Sequence, residues 1–137
     1  MFSSYNEYLS SEFLADYWSD EGISIAASLL DTFSEADWKE LASVWQNMPK
    51  TWKVRCAETI DSHRSAVVES ILVSMLEDGD PDVIVAAVDS LSSTGKTTFE
   101  LSAKDIQRIS EIRDSAGPVV RIVLGNFLQK VSALKNV

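Results

Sequence analysis

The sequence predicts an all-α fold, a solenoid of about four helical hairpins, on three observations. The segments PKTWKVRCAETI from Pro49, PDVIVAAVDSL from Pro81 and PVVRIVLGNFL from Pro118 share one apolar pattern. Superimposing Trp52, Val83 and Val120 aligns Cys56 with Ala87 and Leu124, Ala57 with Val88 and Gly125, and Ile60 with Leu91 and Leu128. Offsets of four, five and eight residues keep one face of a helix apolar. Second, the copies lie 31 and 37 residues apart, the period of a helical hairpin repeated along a solenoid. Third, no run alternates with period two between hairpin turn residues, so no sheet is expected.

Each element has its own local reason. Tyr5, Leu9, Phe13 and Tyr17 recur every fourth residue and predict a first helix from about Ser4 to Trp18, interrupted by Asp20, Glu21 and Gly22. A second helix is expected over about Ile23 to Phe33. A third opens at Ser34, whose hydroxyl can cap it with Asp37 three residues on, and buries Trp38, Leu41, Ala42 and Trp45. The prolines are start signals, because the first turn needs no proline N–H and already has its φ. Between the Pro49 and Pro81 helices, Arg64 to Glu77 carries Val67, Val68, Ile71, Leu72 and Met75. Asp78-Gly79-Asp80 ends that helix, and Asp80 caps the next. Thr94 to Leu101 is the longest break. Ser102 to Ser115 is expected to bury Ile106, Ile109 and Ile112, and the Pro118 helix runs nearly to the C-terminus. The chain thus divides, within a single domain over 1–137, into a capping hairpin 1–33 and hairpins 34–62, 63–94 and 102–136.

Composition narrows the function. The 137 residues, 45% apolar and 24% charged, suit one folded domain. No apolar run reaches the roughly 18 residues needed to cross a bilayer, and MFSSYNEYLSSEF lacks the basic start and apolar stretch of a secretory signal. A cytoplasmic chain without membrane contact is expected. Cys56, the single cysteine, occupies a core position and reads as a packing thiol. A duplex binder needs a basic footprint, whereas the net charge is −9, so direct nucleic acid binding is not expected.

Catalytic and metal signatures fail on inspection. Thr94-Gly95-Lys96-Thr97 evokes a phosphate loop, but Ser90 stands where its first glycine belongs and the segment follows a helix. Asp78, Asp80 and Asp82 have calcium-loop spacing, yet Val83 stands at the glycine of the sharp turn; helix stop and capping explain them. His63 is the only histidine, which excludes a two-histidine zinc site. No catalytic residue, cofactor or metal site is expected.

The second helices of the hairpins carry a resemblance. WKVRCAETI, VIVAAVDSL and VVRIVLGNFL resemble HEAT-type second helices, in which an apolar residue, often followed by arginine, precedes small residues and a closing leucine. Arg121 falls in phase with that pattern, Arg55 falls one place late, and Ile84 replaces the basic residue. An acidic aromatic hairpin followed by SEADWKELASVW and DPDVIVAAVDSL is similar to small HEAT-like immunity proteins that bacteria pair with polymorphic or contact-dependent inhibition toxins. The resemblance implies a right-handed HEAT-like solenoid, monomeric when free, that blocks a cognate toxin domain stoichiometrically. The toxin is expected to be a basic nuclease, because an acidic inhibitor competes with phosphate. An acidic adaptor or structural subunit of a larger assembly is the alternative, and a solenoid enzyme the third.

Charge independently favours a protein partner. Residues 1–48 carry net −8, 49–89 net −4 and 90–137 net +3, and ten of twelve aromatics lie at or before Trp52. Complementary potential speeds association, and buried aromatics supply much of interface affinity. Two surfaces are candidates. One is the N-terminal hairpin, with Tyr8 and Trp18 expected exposed beside Asp16, Asp20 and Glu21. The other is a groove along the second helices, where helical-wheel geometry turns Glu58, Asp89 and Asn126 outward beside an apolar row of Val54, Val85 and Ile122, with Asp61 nearby. The bland readings are that the tryptophans are core, the acids solvated and the apolar row covered by neighbouring helices.

Overall fold

The structure is a computed structural model that describes residues 1–14, 16–63, 65–94, Phe99 and 101–135, with side chains as far as Val131. Among the described residues it is all-helical, in the order α1 (Phe2–Leu9), α2 (Ile23–Leu30), α3 (Glu35–Val44), α4 (Lys50–Ile60), α5 (Ala66–Met75), α6 (Pro81–Ser93), α7 (Ala103–Ser115) and α8 (Pro118–Lys135). A π-helical turn over Trp18–Gly22 leads into α2, and a 3-10 turn over Trp45–Asn47 ends α3. Thr94-Gly95-Lys96-Thr97 lies, apart from Thr94, outside the described residues.

Starts follow the capping chemistry. Ser34 and Asp37 form a capping box: the Asp37 N–H donates to Ser34 Oγ at 3.2 Å and the Ser34 N–H to Asp37 Oδ2 at 2.9 Å. The Asp82 N–H donates to Asp80 Oδ1 at 2.9 Å, and Ser65 and Ser102 cap α5 and α7 in the same way. Pro81 and Pro118 are first helical residues, whereas Pro49 is the residue before α4. That one-place difference matches its spacing, three residues ahead of Trp52 instead of two.

Packing places the helices in two layers. α2, α4, α6 and α8 pack in succession; α1, α3 and α5 pack in succession behind them; α1 with α2, α5 with α6 and α7 with α8 close hairpins. The core is what the superposition requires. Cys56, Ala87, Ala57, Val88, Ile60, Leu91, Trp52, Val83, Leu124 and Leu128 are buried. The third copy departs at Val120 and Gly125, which are half-buried; α8, which packs on α6 and α7, is the last helix of the row. Ile109 is buried on α7, but Ile106 and Ile112 are only half-buried.

The largest correction is at the N-terminus. α1 stops at Leu9, so the four-residue stripe carries only Tyr5 and Leu9 into the core. Asp20, Glu21 and Gly22 do not interrupt a helix; they complete the π turn that starts α2, and α2 ends at Leu30. The intervening stretch leaves the helical path, with the backbone of Asp16 left-handed at φ 70°, a conformation aspartate tolerates better than most residues.

Candidate protein-binding surface

Phe13, in the irregular stretch after α1, and Trp18, at the start of the π turn, lie over α4. Phe13 lies 5.1 Å from both Tyr8 and Tyr17 and 5.7 Å from Trp18, ring centre to ring centre. Arg55, on α4, stacks its guanidinium on Phe13 at 4.7 Å and Trp18 at 5.3 Å. It also donates to the carbonyls of Leu9 at 2.9 Å and Ser11 at 2.7 Å, the second lying beyond the end of α1. Gly22 leaves room for this arrangement: a Cβ there would stand 2.6 Å from Trp18 Cε3.

The Trp18 indole N–H donates to Glu58 Oε1 at 3.2 Å. Glu58 is therefore half-buried, correcting its expected outward position, and desolvation raises its pKa above the ordinary carboxylate value. The Trp18 hydrogen bond and Arg55 oppose that rise, while Asp89 and Asp61 add to it. Tyr8 and Trp18 are likewise half-buried instead of exposed. Burial, then the hydrogen bond to Tyr17 at 3.2 Å, then the Tyr17 and Glu21 charges push the Tyr8 phenol up to about 12. Asp16, Asp20, Glu21 and Asp89 are exposed. Tyr8 and Trp18 are joined through Phe13, and Trp18 joins Glu58, whose charge is felt by Asp61 and Asp89; Glu21 acts on Tyr8.

The apolar row does not join these residues as a groove floor. Val54 and Val85 are half-buried and pack against the core. Val85 opens instead onto a recess of about 500 Å³ with Ile112 and Val120, between α6, α7 and the start of α8. Ile122 is exposed, at 62%. At the α4 rung Trp18 covers Glu58, so among the described residues the expected acidic edge is not open there.

Two features escaped sequence reasoning. Leu14, 87% exposed, stands at the tip of the pinned stretch, and Arg55 organises that stretch from 44 residues away in sequence. Only the phase lag of Arg55 in the HEAT-like pattern marks it in the sequence.

The other candidate polar residues of the sequence have structural partners. Lys53 Nζ meets Asp78 Oδ2 at 2.7 Å, Lys50 meets Asp82 at 2.6 Å, and His63 Nε2 meets Asp31 at 3.0 Å while its ring lies 5.6 Å from Trp38. The calcium-like aspartates are thus spent on capping and ion pairs. Cys56 is buried and desolvation pushes its thiol up to about 12. Among the described residues no group of His, Cys, Asp and Glu is arranged to hold a metal, and no helix is long and apolar enough to cross a membrane. Comparison with protein-family models, curated proteins and solved structures gave no match.

Proposed function

We propose that this chain is a cytoplasmic immunity protein, a HEAT-like right-handed solenoid whose acidic, aromatic face docks on a cognate toxin domain and blocks its substrate surface. The observation that carries the reading is the Trp18–Glu58 hydrogen bond, which merges the aromatic N-terminal stretch and the acids of α4 and α6 into one surface. A half-buried aromatic cluster rimmed by carboxylates suits a basic, partly apolar protein surface, where aromatics supply affinity and charge supplies rate. A nuclease domain has such a surface, because it must attract phosphate. The successive packing of α2, α4, α6 and α8 supports the solenoid reading.

The test is stoichiometric inhibition. The protein domain encoded immediately beside this chain should hydrolyse RNA or DNA, and one equivalent of the chain should abolish that activity. Glu58→Lys with Asp89→Lys should weaken the complex by at least about tenfold, roughly 1.4 kcal/mol. Tight binding without inhibition favours the adaptor reading, and no binding to a folded domain overturns the immunity reading.

A further inference from the structure

We infer that Arg55 is the positioning residue of a preformed contact element: it holds the stretch Ser10–Leu14 in one conformation, which presents Leu14 between Glu12 and Asp16 to a basic protein surface with an apolar recess. The inference rests on the binding role proposed above and names the part of the surface that makes first contact.

Four independent features converge on this stretch. Leu14 is 87% exposed, in contrast with Phe13 beside it, which lies among three aromatic rings. A lone exposed leucine is ordinary on a surface, but this one sits on irregular backbone that is held from outside. Arg55 supplies that hold through two carbonyls and two ring faces. The stretch is bounded by left-handed Asp16 and by the π turn, backbone states that recur at functional sites.

Charge selects the occupant. Glu7, Glu12, Asp16, Asp20 and Glu21 are the charged side chains between residues 1 and 30, and no base stands among them. An exposed leucine in a segment whose charged residues are all carboxylates favours a basic rim around an apolar recess and disfavours acidic or neutral surfaces. Fixing the tip before contact removes the ordering cost that a flexible loop would pay on binding. Only arginine suits the task. One guanidinium nitrogen, Nη1, donates to both carbonyls while the flat cation lies against the rings of Phe13 and Trp18, whereas the compact, strongly hydrated ammonium of lysine has no flat surface to lay on them.

Hydrogen exchange on the free chain decides the positioning role. The amides of Ser11, Tyr17 and Asp20 are bonded to Tyr8, Leu14 and Asp16 carbonyls and report the stretch; the Leu91 amide, inside α6, reports global opening. Arg55→Lys should speed exchange of the three reporters at least about tenfold and leave Leu91 unchanged. Phe13→Leu, which removes one stacking face without touching α4, should act in the same direction and covers the case in which the Arg55 variant unfolds. Reporters that are unprotected in the natural chain, or indifferent to both variants, overturn the inference.

Affinity for the adjacent-encoded domain separates positioning from mere structure. Leu14→Ser should weaken binding at least about tenfold without altering exchange, whereas Arg55→Lys should alter both. Faster exchange with undiminished binding means that Arg55 serves the fold alone and overturns the contact role. Failure of the natural chain to bind that domain overturns the immunity reading, and the exchange result still decides whether Arg55 fixes the stretch.

Discussion

Trp18 and Glu58 stand 40 positions apart in sequence and share a 3.2 Å hydrogen bond, so the π turn that starts α2 is fastened to the outer face of α4. Neither residue is fully exposed or fully buried. The carboxylate is desolvated by the indole that bonds it, and its charge is opposed by Asp89 and Asp61 as well as favoured by Arg55.

Glu58 predicts an unusual pH dependence. Its folded pKa is raised, so just above the ordinary glutamate value of about 4.3 the folded state holds more protons than the unfolded state, and stability falls as pH rises through that window. Asp37 has the opposite sign. The Ser34 and Phe2 N–H groups lower its pKa, so its contribution is present above about 3.9 and lost on further acidification. Thermal melts should therefore show a gain in stability on acidification from neutrality toward pH 5, which Glu58→Gln removes while keeping an acceptor for Trp18. An unchanged pH profile in that variant would refute the assignment.

Gly22 is required by contact with Trp18. An added methyl would meet Cε3 at 2.6 Å, so Gly22→Ala must displace the indole and should cost about 1–3 kcal/mol. Gly79, where an added Cβ meets nothing within 4 Å, is the control. Tryptophan emission should shift in the first variant only.

The ion pairs should differ sharply in value. Lys53 and Asp78 are 15% and 10% exposed, and Asp78 also accepts the Asp80 N–H at 2.9 Å, fixing the turn into α6. Asp78→Ala should cost about 3–5 kcal/mol, because it leaves an almost buried lysine unpaired. Lys39 and Glu35 are 76% and 88% exposed, and Lys39→Ala should change stability by less than about 0.5 kcal/mol. Equal losses in chemical denaturation would contradict the burial argument.

Leu91 tests the aligned core. It is fully buried at the position shared with Ile60 and Leu128, so Leu91→Ala should lose about 2–5 kcal/mol. A loss of a few tenths would show that the position is not a packing layer.

Association should follow charge. Raising salt, or replacing Asp16, Asp20 and Glu21 with their amides, should slow binding to the adjacent-encoded domain and leave dissociation nearly unchanged. A rate indifferent to both changes would mean that these exposed acids are only solvated.

What could be read from the sequence, and what could not, divides by range of interaction. Pro81, Ser34 and Asp80 act on groups two or three residues away, and the Cys56, Ala87 and Leu124 phase is a property of single helices, so these features are visible in one dimension. Phe13 and Tyr17 continue the period of Tyr5 and Leu9, but Arg55 competes for the carbonyls of Leu9 and Ser11 and draws the chain off the helical path. The same competition turns Glu58 from a rim acid into a hydrogen-bond acceptor. Periodicity has no access to a partner 44 residues distant.

Cys56 turns the core into its own clock. The chain has one thiol, it lies on the helix that packs against both α2 and α6, and burial leaves it almost wholly unionised at neutral pH. A thiol reagent can reach it only when those helices part. Under conditions where opening and closing outpace labelling, the labelling rate relative to that of an unfolded peptide reads the free energy of that opening. The protein thus carries a built-in gauge of cooperative opening at its centre, and a partner that binds only the folded chain will slow labelling in proportion to its occupancy.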